Sequence, residues 1–341
     1  KTRGLILEKF KSFITEEEVK PYRLLILIYK TSPDQTRTGA LMTQKAKSMN
    51  IPIYEFEVNT GYTSVNKNGN LVMHNYSFEK DTHGKILKDE NDKKGFEVIP
   101  ENTICLVRVT NNHPKAKRFS EEIRAHGVTT INSAYTYMVC DDKWLTYTVM
   151  EQNDINQPRT SIVGHENLIE DQVNDIGGKF PLILKTVNGA GGVGVVFIES
   201  KKTLLPTVQL IQSLDKSADI ILQEYIKTPY DVRVMILHNE IVATLKRPVI
   251  DSDFRSNISQ GNEPEKIELT ELEKTECLKA AKSVKGKWVG VDFIPSKNKE
   301  TDPPYILEVN GAPGTLYINE LNNIDIFKMF LESFKNRDNW S

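Results

Sequence analysis

A strand, a lysine, a glycine run and a second strand occupy residues 180–200, FPLILKTVNGAGGVGVVFIES. The order of these parts limits the fold sharply. Gly189 to Gly194 reads as G-x-G-x-x-G, the spacing of a dinucleotide loop, but that site needs a helix directly after the glycines. Here Val195-Val196-Phe197-Ile198 follows, a β-branched and aromatic run that predicts a strand. No Gly-Lys-Ser/Thr ends the loop, so it is not a P-loop. What remains is a glycine flap on a hairpin, with Lys185 just before it. Bare backbone N–H groups in such a loop suit phosphate oxygens. A plain hairpin turn is the alternative.

A second group of residues lies near the C-terminal end. Gly290-Val291-Asp292 sits in the β-rich run WVGVDFI, and Tyr305–Asn310 reads as another strand. Glu308 and Asn310 are two apart, so both side chains share one strand face. Asp292 on a neighbouring strand can join them. Two carboxylates and an amide oxygen form a hard donor set suited to Mg²⁺. A solvated strand face is the alternative, and the apolar Ile306, Leu307 and Val309 weaken it. Between the two groups come Leu222-Gln223-Glu224-Tyr225-Ile226, then Asp231 and Arg233, then a hairpin through His238-Asn239 that delivers Lys246 and Arg247. A loop with Asp253-Phe254-Arg255-Ser256-Asn257 follows. Arg233, Arg247 and Arg255 near candidate metal ligands suit an anionic transition state. Taken singly they read as surface arginines.

In this order DDK, ILK, GAGGVGVV, LQEYI, D-x-R, DFRSN, GVD, EVNGAPG and NIDIFKMF resemble the ATP-grasp superfamily, and within it the RimK-type ligases, over about residues 105–335. The resemblance implies an α/β ATP-grasp fold behind an N-terminal Rossmann-like domain. It implies that Lys143, Lys185 and the flap residues Gly191, Gly192, Val193 and Gly194 meet ATP phosphates. It places the adenine edge on Glu224, Tyr225 and Ile226, and the ribose on Asp231. Asp292, Glu308 and Asn310 would carry Mg²⁺, with Mn²⁺ as a substitute. Arg233 would flank the nucleotide, with Arg247, Arg255 and Asn310 in catalytic positions, and Arg255, Ser256 and Asn257 would face phosphates and acceptor. The implied reaction is ATP-dependent carboxylate–amine ligation through an acylphosphate, adding an amino acid such as glutamate to a peptide or protein terminus. Alternatives are a small-peptide ligase of glutathione synthetase type and a nucleotide-binding protein without turnover. Lys246 and Pro248 around Arg247, the residues 296–300 and Gly311-Ala312 depart from the family pattern and leave the acceptor open.

The chain's 341 residues, 39% hydrophobic and 26% charged, suit a globular protein of several lobes. A net charge of −2 gives no bulk attraction to nucleic acid or anionic membrane. No apolar run reaches membrane-spanning length and KTRGLILEKFKS lacks the core of a signal peptide. A start at Lys1 suggests a trimmed or incomplete N-terminus. Cys105, Cys140 and Cys277 form no C-x-x-C pair, which predicts buried free thiols in a reducing cytoplasm; the histidines show no zinc spacing. A homo-oligomer is possible on this reading. The expected organisation is a leader over 1–20, a parallel α/β domain over 21–137 with a polar insertion at 61–100, a central lobe over 138–218 and a C-terminal lobe over 219–341. Within it, Asp141 or Asp142 caps a helix beginning at Lys143, Lys80–Lys94 forms an exposed loop, and Pro206 opens a helix at its first turn.

Overall fold

The computed structural model describes residues 22–29, 37–75, 95–109, 113–188, 194–249 and 264–340. The expected leader, the loop Lys80–Lys94, the flap residues Gly191, Gly192 and Val193, and Arg255, Ser256 and Asn257 lie outside the described residues.

The N-terminal lobe is built on a parallel sheet of β1 (Arg23–Ile28), β2 (Ile53–Glu57), β6 (Thr103–Val107) and β7 (Thr129–Ile131), in the order β2-β1-β6-β7. β1, RLLILI, is buried on both faces, as a parallel strand covered by helices must be. Helices Arg37–Ser48 and Pro114–Ala125 supply the crossovers. Part of the expected polar insertion is ordered. β3 (Tyr62–Val65), β4 (Leu71–His74) and β5 (Phe96–Glu97) form a small antiparallel sheet, and Gly69 at φ 84° makes the turn between the first two.

The central lobe is an antiparallel sheet, β10-β9-β11-β8, from β8 (Thr160–Ile162), β9 (Leu182–Thr186), β10 (Val195–Ile198) and β11 (Ile220–Glu224). Helices Ile169–Asp175 and Lys201–Leu214 cover it, and its core of Ile169, Leu184, Leu204, Val208 and Leu222 draws on no other lobe among the described residues. Lys201–Leu214 corrects the expected helix start. Ser200 is its N-cap residue, so Pro206 sits inside the helix rather than in its first turn. The apolar spacing of Leu204, Val208 and Ile211 holds the helix on the sheet despite the missing N–H of Pro206.

The C-terminal sheet is β13-β12-β14-β15, from β12 (Tyr230–Leu237), β13 (Glu240–Pro248), β14 (Trp288–Ile294) and β15 (Tyr305–Asn310), all antiparallel. His238 at φ 46° and Asn239 at φ 67° make the two-residue turn read from the sequence. Helix Glu271–Ser283, closed by a capping box between Thr270 and Glu273, packs on one face through Cys277, Ala280 and Ala281. The other face shares a core with the N-terminal sheet and helix Ile326–Ser333. Helices Ala134–Cys140 and Leu316–Asn322 were not anticipated. All three cysteines are free, but Cys140 is only half-buried, a correction to the expectation of three buried thiols.

Candidate active site

The register of the C-terminal sheet explains the site. Arg233 on β12 pairs with Asp292 on β14, and Asp292 pairs with Glu308 on β15, so the three stand in one row across the sheet. One row along, Asp231 pairs with Arg247 on β13. Side chains two apart on a strand share a face, which brings Asp231 beside Arg233 and Asn310 beside Glu308.

Two arginines hold two aspartates there. Arg233 donates from Nε to Asp292 Oδ1 and from Nη2 to Oδ2, both at 2.6 Å. Arg247 donates from Nε to Asp231 Oδ1 at 2.7 Å, and from Nη2 to Asp231 Oδ2 at 2.8 Å and to Asp292 Oδ2 at 2.9 Å. Arg247, Asp231 and Asp292 are buried. Burial alone raises the pKa of Asp292, but Arg233 and Arg247 outweigh it and hold the carboxyl well below the usual carboxylate range. Burial lowers the pKa of Arg247 while Asp292 and Asp231 raise it, with a net rise.

The network engages two residues that the resemblance assigns to ligands. Asp231, expected at the ribose, directs both carboxylate oxygens to Arg247. Asp292, expected as an open metal ligand, already accepts three N–H bonds, which leaves about one lone-pair site of roughly four on a carboxylate. Glu308 is different. Its side chain is 41% exposed, with Arg233 Nη2 3.7 Å away, and it accepts from Asn310 Nδ2 at 3.1 Å. Among the described residues Asn310 Oδ1 has no hydrogen-bond donor, and it stands beside the Glu308 carboxylate. Glu308 and Asn310 fit a divalent cation as hard oxygen donors, and Asp292 fits as their charged neighbour.

Lys185 of the central sheet and Lys143, whose helix packs on the C-terminal sheet, come to the same place. Lys185, at the flap end of β9, donates from Nζ to Gln223 Oε1 at 2.7 Å, and buried Gln223 is fixed in turn by donating to Thr160 Oγ1 at 2.9 Å. Burial lowers the Lys185 pKa to about 8, with Glu308 pulling it up and Lys143 pushing it down. Lys143 opens helix Lys143–Glu151, whose N-cap is Asp142 accepting from Leu145 N at 2.8 Å. Its Nζ donates to Val187 O at 3.4 Å. Burial lowers its pKa, and Glu308 is the largest opposing influence. Both lysines thus feel the same carboxylate, Glu308.

The strand expected to read an adenine edge ends at Glu224. Its carboxylate accepts from Arg159 Nε at 3.1 Å and Nη2 at 3.3 Å, and its backbone N–H donates to Arg159 O at 2.8 Å. Tyr225 meets Phe197 edge to face at 5.1 Å, and Ile226 follows half-buried. Gly194 at φ 78° stands against Thr186, whose hydroxyl a Cβ would strike. Gln223 and Arg159 as side-chain partners escaped the sequence reading, because cross-strand neighbours leave no trace in local spacing.

Known proteins resemble this chain in sequence and in fold. A family model of the RimK-like ATP-grasp domain matches residues 140–334. The probable alpha-L-glutamate ligase of Histophilus somni (strain 2336) is 31% identical over 247 residues, 72% of this chain and 80% of that protein. Its counterpart in Vibrio vulnificus (strain YJ016) is 27% identical over 274 residues, 72% of this chain and 89% of that protein. Among solved structures, the ATP-grasp ligase PsnB complexed with minimal precursor superposes with a TM-score of 0.65 at 15% identity, over 92% of this chain and 99% of that one. The D-alanine–D-alanine ligase of Bacillus anthracis complexed with ATP gives a TM-score of 0.64 at 17% identity, over 93% and 98%. These two establish the shared fold. On the family match and the relatives together, the chain belongs to the RimK-like ATP-grasp family.

Proposed function

We propose that the chain is an ATP-dependent carboxylate–amine ligase that adds an amino acid such as glutamate to a peptide or protein terminus. The convergence of Lys185 from the central sheet and Lys143 from a helix packed on the C-terminal sheet upon Glu308 carries this reading. It gathers two cations and a pair of hard oxygen donors around one space. Phosphoryl transfer needs this kind of positioning and charge neutralisation more than it needs a covalent catalyst.

Each residue has a part in the proposal. Lys185, held by Gln223 and half-buried, gains full charge when phosphate oxygens arrive. Lys143 adds a second positive charge from the start of its helix. Arg233 and Arg247 cannot swing away, because Asp231 and Asp292 fix them, so their charge is preorganised for an anionic transition state. Glu308 and Asn310 would hold Mg²⁺ or Mn²⁺, with Asp292 beside them; the ion supplies charge neutralisation at the phosphates. Glu224, Tyr225 and Ile226 line the adenine side. Gly194 anchors the flap of which Gly191, Gly192 and Val193 are part, and Arg255, Ser256 and Asn257 complete the acceptor side.

The glutamate substrate is supported by the relatives named probable alpha-L-glutamate ligase. The peptide acceptor is supported by structural neighbours solved with precursor peptides, PsnB and the macrocyclase MdnC. Among the described residues no helix is long and apolar enough to cross a membrane. We place the protein in the cytoplasm, acting on peptide rather than nucleic acid or lipid, with lobes over 21–137, 138–218 and 219–341.

The test is product identity. With ATP, a carboxylate substrate and hydroxylamine in place of the amine, hydroxamate is expected to accumulate in step with ADP. AMP and pyrophosphate in that role would refute the acylphosphate route.

A further inference from the structure

Arg108 stands one residue past the carboxyl end of β6, where open parallel sheets present ligands. Its backbone N–H still pairs with Leu27 O at 3.1 Å, so its position is set by the sheet. Its guanidinium carbon lies 5.1 Å from the centre of the Trp288 ring, and Nη2 donates to Pro313 O at 3.0 Å. Pro313 is three residues beyond Asn310 and lies against the site face. A Cβ at Gly290 would lie 3.0 Å from Pro313 Cβ on one side and 3.7 Å from Arg233 Cδ on the other. Arg108 therefore reaches from the N-terminal lobe to the edge of the Arg233–Asp292–Glu308 row.

The neighbouring arginines of the site are each matched to aspartates. Arg108 is not. Among the described residues no carboxylate pairs with it, and the only charge influence on it is the Tyr137 phenol. A half-buried guanidinium with no anion among the described residues is unusual, because buried charge is retained when a partner meets it. Among the described residues Pro313 O is the guanidinium's one hydrogen-bond acceptor, using one of five N–H donors. The remainder of that fork has the shape that binds a carboxylate through two hydrogen bonds.

We propose that Arg108 binds a substrate carboxylate at the junction of the N-terminal lobe and the site face. The inference rests on the ligase reading for its choice of ligand. The carboxylate belongs either to the incoming amino acid or to the acceptor terminus, and the two sources separate in one assay.

The full chain is assayed with ATP, L-glutamate and free-acid tetraglutamate, in the parent, Arg108→Lys and Arg108→Met. ADP release gives a KM for each substrate, calorimetry gives ATP affinity, and thermal melting reports the fold. Arg108→Met is expected to raise one KM about 10- to 100-fold, the range for a hydrogen bond to a charged group, while ATP affinity stays level. Arg108→Lys recovers part of the loss. A shift in the glutamate KM assigns the amino acid; a shift in the tetraglutamate KM assigns the acceptor. Unchanged KM values, or a loss confined to kcat in folded variants, overturn the proposal and leave Arg108 as a pin for the Pro313 turn. If the parent binds ATP yet releases no ADP, the glutamate-ligase reading fails, and calorimetric titration with the same two compounds still decides Arg108. Weaker binding by Arg108→Met supports it there; equal binding, or none by the parent, overturns it.

Discussion

Arg247 grips Asp292 from a strand that does not touch it. The two residues lie on β13 and β14 with β12 between them, yet Arg247 Nη2 meets Asp292 Oδ2 at 2.9 Å while its Nε holds Asp231 at 2.7 Å. One guanidinium thus locks two buried carboxylates.

Arg247→Met leaves both aspartates short of a partner. Breaking a buried ion pair from one side costs about 3–5 kcal/mol, and urea unfolding is expected to show a loss of that size. The same carboxylate has a pH signature. Its folded pKa is depressed, so its contribution is present above the unfolded value of about 3.9 and is lost as pH falls through the lower folded value. Acid titration of the parent is expected to show this loss, and Asp292→Asn to lack it.

Glu308→Gln tests the metal assignment without disturbing that lock. Glu308 is partly exposed and its substitution is expected to change stability by no more than about 0.5 kcal/mol. Turnover is expected to fall by at least about 100-fold. Full turnover in a folded Glu308→Gln protein removes Glu308 from the site. Asp292→Asn is the poorer probe, since it also unpairs Arg233 and Arg247.

Lys185 titrates near pH 8 in the folded chain, against an ordinary lysine value of about 10.4. Between those values the unfolded state holds the extra proton, so stability is expected to rise with pH across that window. Denaturation midpoints from pH 7.5 to 10.5 check the slope, and Lys185→Met should flatten it. Nucleotide phosphates favour the charged lysine. ATP binding near pH 8.5 is therefore expected to take up a proton, measurable by calorimetry in buffers of different ionisation heat.

Pro206→Ala is expected to stabilise the central lobe by about 1–3 kcal/mol, because the proline is exposed and interior to helix Lys201–Leu214. Hydrogen exchange in that helix should slow, with little change elsewhere, since the lobe has its own core.

Where residues act through near neighbours, the site was legible from the sequence. Glu308 and Asn310 share a face because strands alternate, and Asp142 caps its helix because an aspartate before an apolar run does so. The strands around Lys185 and the His238-Asn239 turn follow from β-branched runs and turn chemistry. What escaped depends on distant pairing. Nothing near Asp231 in the chain announces Arg247 as its partner, since only the β12–β13 register sets them opposite. The helix Ala134–Cys140 is short, and its signal merged with the helix after it. Asn132 was equally silent. Its buried side chain donates to Trp288 O at 2.6 Å and Gly311 O at 2.7 Å, and accepts from Lys287 N at 2.8 Å and Trp288 N at 3.0 Å.

The core shared between the first and last lobes bears on how the chain is made. Leu24, Ile26, Ile104 and Leu106 pack with Met235, Trp288, Phe330 and Phe334. On the ribosome the parallel sheet emerges before the last lobe, with this face covered only in part by Met42 and Ala46 of its own helix. At typical synthesis rates of about 5–20 residues per second, the 200-odd residues between Ile131 and Phe334 take roughly 10–40 s to follow. Through that interval the part of the face that Trp288, Phe330 and Phe334 will cover stays open to water.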